Sequence, residues 1–361
     1  MSRDPEKTLS ARSNLSPDLS SDPGLAEAED LGSKADPRFV EALLAAQKTL
    51  IIGHANPDGD SLGSAVALAL ALRSLGREVV LGYSGRLYQH LLFLLESIAD
   101  YRLFKGEASE FWGFDLLVLV DCPHPDRVWD GFSDLAILPP RLVVDHHPGD
   151  PRRSKPVAFL HSSNVSSAGE LVFPVISALG VSLTRPMAEA LLAAIMSDTG
   201  FFSQNNATPE CFRQASFLVA AGARSDYVVS RLKRNWTQAR VRLLRAALGT
   251  LEISLDGLLA SMTVDQAMLD EAGATLDDME GFVEYPRAMN GTEAAAFFRV
   301  DGHGRVRVSL RCGLNYSVQE LAESLGGGGH RQAAAYSDPE SDPIAVRKKF
   351  LALAPKFLRR K

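Results

Sequence analysis

Apolar positions along this chain fall into short continuous runs, and several of those runs stop at acidic or histidine residues. Leu50-Ile51-Ile52-Gly53 reads as a buried strand and ends at His54. The next stretch, His54-Ala-Asn-Pro-Asp-Gly-Asp60, is polar, and Pro57 and Gly59 mark it as a turn. From Ser61 the apolar run through Leu72 predicts a helix over 61–75, with Gly76 as its C-cap. Arg38 to Ala46 has a helical pattern, Glu78 to Gly82 reads as a strand, and His90 to Ser97 reads as helical. Phe114 to Val120 has the near-continuous hydrophobicity of a parallel strand covered on both faces, and it ends in Asp121. Arg141 to Val144 is a further strand, followed by Asp145-His146-His147. A helix over Met187 to Met196 leads into Asp198-Thr199-Gly200. Strands and helices in this order predict an α/β fold with a doubly wound, mostly parallel sheet.

The pattern changes after Gly222. Residues 225–247 are charged and helical, with Arg231, Lys233, Arg234, Arg240, Arg242 and Arg245, and read as a helical linker with a solvated face. Beyond it, Leu251–Ser254 and Leu258–Val264 read as a hairpin around Asp256-Gly257. Glu293–Val300 and Arg305–Arg311 are two more strands, and Ser317–Leu325 is a helix that runs into the glycines 326–329 and His330. The expected organisation is a tail over 1–35, a catalytic domain over 36–224, the linker over 225–247 and a smaller α/β domain over 248–361. The tail is rich in Ser, Asp, Glu, Pro and Lys and is expected to be disordered, because it holds too little apolar surface to order itself.

Composition narrows the functional classes. The 361 residues are 46% hydrophobic and 23% charged, enough for two cores. The net charge of -6 argues against a broad nucleic-acid-binding surface, while leaving room for a local anion pocket. Three scattered cysteines, Cys122, Cys211 and Cys312, form neither a disulfide framework nor a CxxC zinc site, and point to a reducing cytoplasm. No apolar run reaches the roughly 20 residues of a membrane span, and the N-terminus carries no apolar signal core.

The strand-end residues carry the chemistry. His54, Asp58 and Asp60, then Asp121, then Asp145, His146 and His147, then Asp198 would all gather at the carboxyl edge of the predicted sheet, where open α/β sheets bind ligands. Carboxylates collected at one edge repel one another, and a bound cation removes that cost. Imidazole and carboxylate donors without thiolates suit Mn, Zn, Fe or Mg. The number of donors is enough for two ions, which in such sites lie roughly 3.5–4 Å apart and clamp a phosphoryl displacement. Such a pair needs a bridging carboxylate, and Asp121, alone at its strand end, is the expected bridge. Separately, the run Gly326, Gly327, Gly328, Gly329 would let backbone N–H groups approach an anion, with His330 and Arg311 beside it.

These motifs, in the order 54–60, 120–121, 145–147, 198–200 and 326–330, resemble the DHH phosphoesterases with their associated C-terminal domain, over roughly residues 38–340. The nearest subfamily is the oligoribonuclease and pAp-phosphatase type; Tyr285-Pro-Arg287 and Ser309-Leu-Arg311 support it. The resemblance implies two divalent metal ions, usually manganese. His54 and Asp58 would hold one, Asp60, His146 and Asp198 the other, and Asp121 both. It implies that Asp145 orients its neighbours, that His147 contacts the scissile phosphate, and that Arg311, Gly326, Gly327, Gly328, Gly329 and His330 grip the nucleotide, held in a cleft between the domains. The implied substrates are short oligoribonucleotides and pAp. The chain departs from the subfamily at Phe201-Phe-Ser-Gln-Asn-Asn206, where an Arg and an aromatic are usual, at Cys312 in place of Ser, and at Ala335 in place of Gly. Alternatives are a phosphodiesterase for linear or cyclic dinucleotides such as pApA and c-di-AMP, a RecJ-like single-strand exonuclease, a family II pyrophosphatase, and a nucleotide sensor without catalysis. The sensor predicts broken metal ligands, and all of them are present. A homodimer is compatible with the sequence, though no residue argues for it.

Overall fold

The computed structural model describes residues 35–129, 131–135, 138–150, 152, 155–233, 236–329 and 331–358. The expected disordered tail therefore lies outside the described residues, apart from Ala35. The chain forms two compact units, Met1–Arg234 and Asn235–Lys361.

In the first unit, α1 (Pro37–Ala45) precedes β1 (Lys48–Ile52), α2 (Gly59–Ser74) and β2 (Glu78–Tyr83). The stretch His90 to Ser97, expected to be helical, lies in a 3-10 helix, Gln89–Ser97. Then come β3 (Tyr101–Leu103), β4 (Leu116–Val120), β5 (Arg141–Asp145) and β6 (Ala158–His161). Helices α3 (Ala168–Ala178), α4 (Arg185–Asp198), α5 (Pro209–Ala220) and α6 (Ser225–Lys233) complete the unit. The strands lie in the order β3-β2-β1-β4-β5-β6, and every pairing is parallel. This is the doubly wound sheet expected from the apolar runs. Its order reverses between β1 and β4, so the crevice that ligands favour opens between their carboxyl ends. Those ends lead into His54 and Asp121.

Helix α2 explains the unpunctuated apolar run after Asp60. Almost all of it is buried, from Gly59 through Ala69 without a break, so it shows no polar stripe. It packs against α4 through small residues. A Cβ added to Gly63 would lie 2.4 Å from the Ala190 carbonyl oxygen, and one on Gly59 would lie 2.7 Å from Ser197 Cβ. The contact brings the start of α2 against the end of α4.

The second unit begins with α7 (Gln238–Leu248), β7 (Glu252–Ser254), β8 (Leu259–Val264), α8 (Gln266–Ala272) and α9 (Glu284–Arg287). It continues with β9 (Ala294–Val300), β10 (Val306–Cys312), α10 (Gln319–Ser324), β11 (Gly328–Gly329), β12 (Ala333–Asp338) and α11 (Pro343–Leu353). The order is β11-β12-β10-β9-β8-β7, with β8 and β9 parallel and the other pairs antiparallel. One sheet face packs Phe298, Val308 and Leu310 against Leu321 and Phe350, and the other packs Met262 and Phe297 against Leu243 and Phe282. The segment 225–247 holds α6 and most of α7, which fall in different units. No helix among the described residues is long and apolar enough to cross a membrane.

Candidate metal centre

The first unit's strand ends deliver their side chains to one place. Asp58 is the N-cap of α2; its Oδ1 accepts the N–H groups of Asp60 and Ser61, at 3.0 Å each. This leaves Oδ2 turned toward His54 Nε2, 3.8 Å away. Asp60, the second residue of the helix, is fully buried. Its Oδ1 accepts from Ser64 Oγ at 3.0 Å and from the Gly169 N–H at 3.0 Å, and its Oδ2 accepts from the Ala168 N–H at 2.7 Å. Asp121 follows β4 with a left-handed backbone, φ 55°, a region Asp tolerates better than most residues. Its N–H donates to the Val144 carbonyl, keeping the strand-end residue in register with β5.

Asp145 closes β5. Its Oδ2 accepts the His147 N–H at 3.1 Å, and its Oδ1 lies 3.0 Å from His147 Nδ1. His161 Nε2 donates to the His147 carbonyl at 2.7 Å, fixing the same loop from β6. Asp198 is the last residue of α4. Asn206 Nδ2 donates to its carbonyl at 3.0 Å, and Thr199 Oγ1 accepts the Phe202 N–H at the left-handed turn Gly200-Phe201-Phe202.

Three groups able to hold an ion result among the described residues: His54 with Asp58 and Asp121, Asp60 with His146 and Asp198, and Asp121 with His146 and His147. Asp121 Oδ2 lies 3.2 Å from His54 Nε2, and Asp121 Oδ1 lies 3.4 Å from His146 Nε2. His146 Nε2 is also 3.0 Å from Asp198 Oδ2 and 3.6 Å from Asp60 Oδ2. Despite these short distances, His146 Nε2 and Asp121 Oδ1 are buried and have no partner with hydrogen-bond geometry. The donors converge on shared points rather than on one another, which is the arrangement a cation needs. His54 Nδ1 is engaged by the Ala55 carbonyl at 2.9 Å, which leaves Nε2 as the ligating atom. The donor set of imidazoles and carboxylates fits a divalent ion of the Mn, Zn or Mg kind.

The electrostatics agree. Burial lowers the His54 and His146 imidazoles, but the carboxylates of Asp121 with Asp58, and of Asp121 with Asp198, outweigh it and hold them up at about 10 and about 11. Burial acts to raise Asp121, yet His146 and His54 hold its carboxyl well below the usual range. Burial pushes Asp60 up, followed by the Asp121 and Asp198 charges, while the His146 charge works the other way. Without an ion, protons on the imidazoles stand in for the positive charge this cluster requires.

In the second unit, Arg311 leaves β10 with its Nε 3.2 Å from Glu284 Oε1. The glycine run forms edge strand β11 instead of an open loop, pairing Gly328 with Ala335 and Gly329 with Ala334. A Cβ on Gly327 would lie 2.1 Å from the Ala335 carbonyl oxygen, so close approach to β12 alone requires glycine there. His330 lies outside the described residues.

Ser64, Ala168, Gly169, His161 and Asn206 are site residues that sequence reasoning missed. A signal existed for the α3 start: Ser167 precedes Glu170 by three residues, an N-cap pattern. Nothing local announces that its N–H groups serve Asp60, more than 100 residues earlier.

This sheet, with paired carboxylate–imidazole groups at its reversal point, is that of a metal-dependent phosphoesterase. Residues 48–195 match the DHH family N-terminal domain, and residues 258–359 match the DHHA1 domain. The chain belongs to the DHH family. It is 30% identical over 319 residues to the bifunctional oligoribonuclease and PAP phosphatase NrnA of Thermus thermophilus, an alignment covering 84% of this chain and 90% of that protein. It is 29% identical over 167 residues to a manganese-dependent inorganic pyrophosphatase of Methanothrix thermoacetophila, covering 45% of this chain and 51% of that one. Its fold is similar to the crystal structure of an exopolyphosphatase-related protein from Bacteroides fragilis, with a TM-score of 0.80, 22% identity, and coverage of 91% and 96% of the two chains.

Proposed function

We propose that this protein hydrolyses short oligoribonucleotides to mononucleotides and removes the 3′ phosphate of pAp, in the cytoplasm, with two divalent ions, manganese by preference. The observation that carries the reading is the pair of ligand groups that adjoin the single buried carboxylate of Asp121. In it, His54, Asp58 and Asp121 hold one ion, and Asp60, His146 and Asp198 hold the other beside Asp121. When bound, the ions supply Lewis acidity toward the phosphate and acidify a nearby water. Asp145 orients the His147 ring, which meets the scissile phosphate. Ser64, Ala168 and Gly169 fix Asp60 so that the centre needs little rearrangement. Arg311, the 326–329 glycines and His330 bind the nucleotide. A phosphate would displace Glu284 from Arg311, since a guanidinium suits either oxyanion. The similarity to the Thermus protein over 84% of this chain supports this substrate class.

The test is hydrolysis of di- to pentaribonucleotides, pAp and cyclic dinucleotides, compared with added manganese. Turnover of the linear oligonucleotides and pAp is expected, with Asp121→Ala removing both. Intact activity in that variant, or turnover of cyclic dinucleotides alone, would overturn the reading.

A further inference from the structure

The carboxyl edge of the first unit's sheet carries a second hollow, beyond β2 and β3 and beside the His54 loop. It has a volume of about 680 Å³ and is lined by Ala55, Ser84, Phe104, Lys105, Arg127 and Trp129, among others. That volume falls within the roughly 300–1,000 Å³ of small-molecule sites. Its walls are tied to the metal-centre loop. The Ala55 N–H donates to the Arg127 carbonyl at 2.7 Å, and the Asn56 N–H donates to the Ser84 carbonyl at 3.0 Å. Asn56 Oδ1 accepts the Arg86 N–H at 2.8 Å, and Ser84 Oγ donates to the Val128 carbonyl. The residue after His54 is therefore one hydrogen bond from Arg127.

Two basic side chains in this hollow have no partner among the described residues. Among the described residues, neither the Lys105 ammonium nor the Arg127 guanidinium has a side-chain hydrogen bond or an ion pair. By contrast, Arg224 and Arg311 elsewhere are paired with Glu189 and Glu284. Asp126 also lines the hollow, but its Oδ1 already accepts the Ser133 N–H at 2.8 Å, and its Oδ2 lies 3.3 Å from His124 Nδ1. The Trp129 ring is held by Phe132 and Phe111, with centroids 4.4 and 5.7 Å away, so its orientation is fixed by the aromatic cluster behind it. Two cations without a partner among the described residues, beside a fixed aromatic ring, are the elements of a single-strand nucleic-acid subsite: cations for phosphate, an aromatic ring for a base.

We propose that this hollow receives the phosphate and base of the nucleotide next to the scissile phosphodiester in an oligonucleotide. The assignment rests on the oligonucleotide reading above. It gives the protein a means of separating its two substrate classes, because pAp has one nucleoside and ends before the hollow.

The experiment measures initial rates in manganese on a tetraribonucleotide and on pAp, for wild type and for Lys105→Ala, Arg127→Ala and the double variant. Both side chains are exposed, so folding is expected to be retained. The double variant should raise KM for the tetranucleotide about tenfold or more, an effect about tenfold larger than on pAp, and the slope of log KM against log salt should fall by about 0.7 per lost phosphate contact. Lys105→Arg with Arg127→Lys should keep the wild-type salt slope. Equal shifts on both substrates, or no shift on either, overturn the subsite while leaving the oligonucleotide reading intact. A wild type that cleaves pAp and no tetranucleotide overturns both.

Discussion

Asp58 and Asp60 are two residues apart, yet their substitution by Asn should have different consequences. Asp58 is half-exposed, and only its Oδ1 is occupied, by the two N–H groups of the α2 cap. Asn caps a helix about as well as Asp, so Asp58→Asn keeps both cap bonds and loses only the charge and Oδ2. Asp60 has donors at both oxygens and is fully buried. An Asn there must turn its NH₂ toward a donor, either the Ala168 N–H or the pair Ser64 Oγ and Gly169 N–H. An unsatisfied buried donor costs about 1–3 kcal/mol. Removing the charge relieves repulsion from Asp121 and Asp198, which offsets part of that cost. With a net loss of about 2 kcal/mol, Tm falls by roughly 4–8 °C for a unit of this size. Calorimetry in EDTA isolates this effect from ion binding, and Asp58→Asn should melt within about 2 °C of wild type. Metal content and anomalous scattering then report the ions. Asp58→Asn should lose chiefly the ion of the His54 group, and Asp60→Asn the ion of the His146 and Asp198 group. If both variants lose the same ion, or if Asp60→Asn melts as wild type does in EDTA, the division of the loop between two ions is wrong.

Three further outcomes follow from the same geometry. With His54 raised to about 10 and His146 to about 11, both imidazoles are protonated at neutral pH without an ion, and ligation must displace those protons. Apparent affinity for each ion should therefore rise about tenfold per pH unit from near pH 6.5 toward pH 9, whereas imidazoles at their ordinary value would level off above pH 7; calorimetry in buffers of different ionisation enthalpy counts the released protons. Gly63→Val forces a side chain into the space now closed by the Ala190 carbonyl. It should cost about 1–3 kcal/mol and weaken the Asp198 ion while sparing the His54 ion, read by Tm and metal content. Asn206→Ala removes the bond to the Asp198 carbonyl and should weaken that ion about tenfold or more with little change in far-UV circular dichroism; unchanged manganese affinity would refute the supporting role.

Much of the first unit could be read from the residues because its strands are buried on both faces. Leu50–Ile52, Leu116–Val120 and Leu142–Val144 are wholly buried, so their sequences are plain apolar runs with sharp polar ends. The same sharpness exposed the strand-end donors His54, Asp121 and Asp145. Less could be read where burial is partial or long-range contacts decide. Strand β3 is exposed along all three of its residues, and β6 is mostly half-exposed, so neither makes a run. The glycines at 327 and 329 reflect close approach to β12, a constraint that no pattern within residues 326–329 reveals.

Why the centre forms at all is a question of distance along the chain. Its donors come from five places between His54 and Asp198, and two contacts do most of the bringing together. The pairing of β1 with β4 sets His54 beside Asp121 at the point where strand order reverses. The small-residue contact of α2 with α4, at Gly59 against Ser197 and Gly63 against Ala190, sets Asp60 beside Asp198. Each contact brings two members of one ligand group together, the α2 cap adds Asp58 to the first, the end of β5 adds His146 to the second, and Asp121 adjoins both. The two halves of the centre meet at that carboxylate and at the start of α2, where Asp58 caps the turn that carries Asp60. Damage to the helix contact should disturb one ion first, and damage to the strand end at Asp121 should disturb both together.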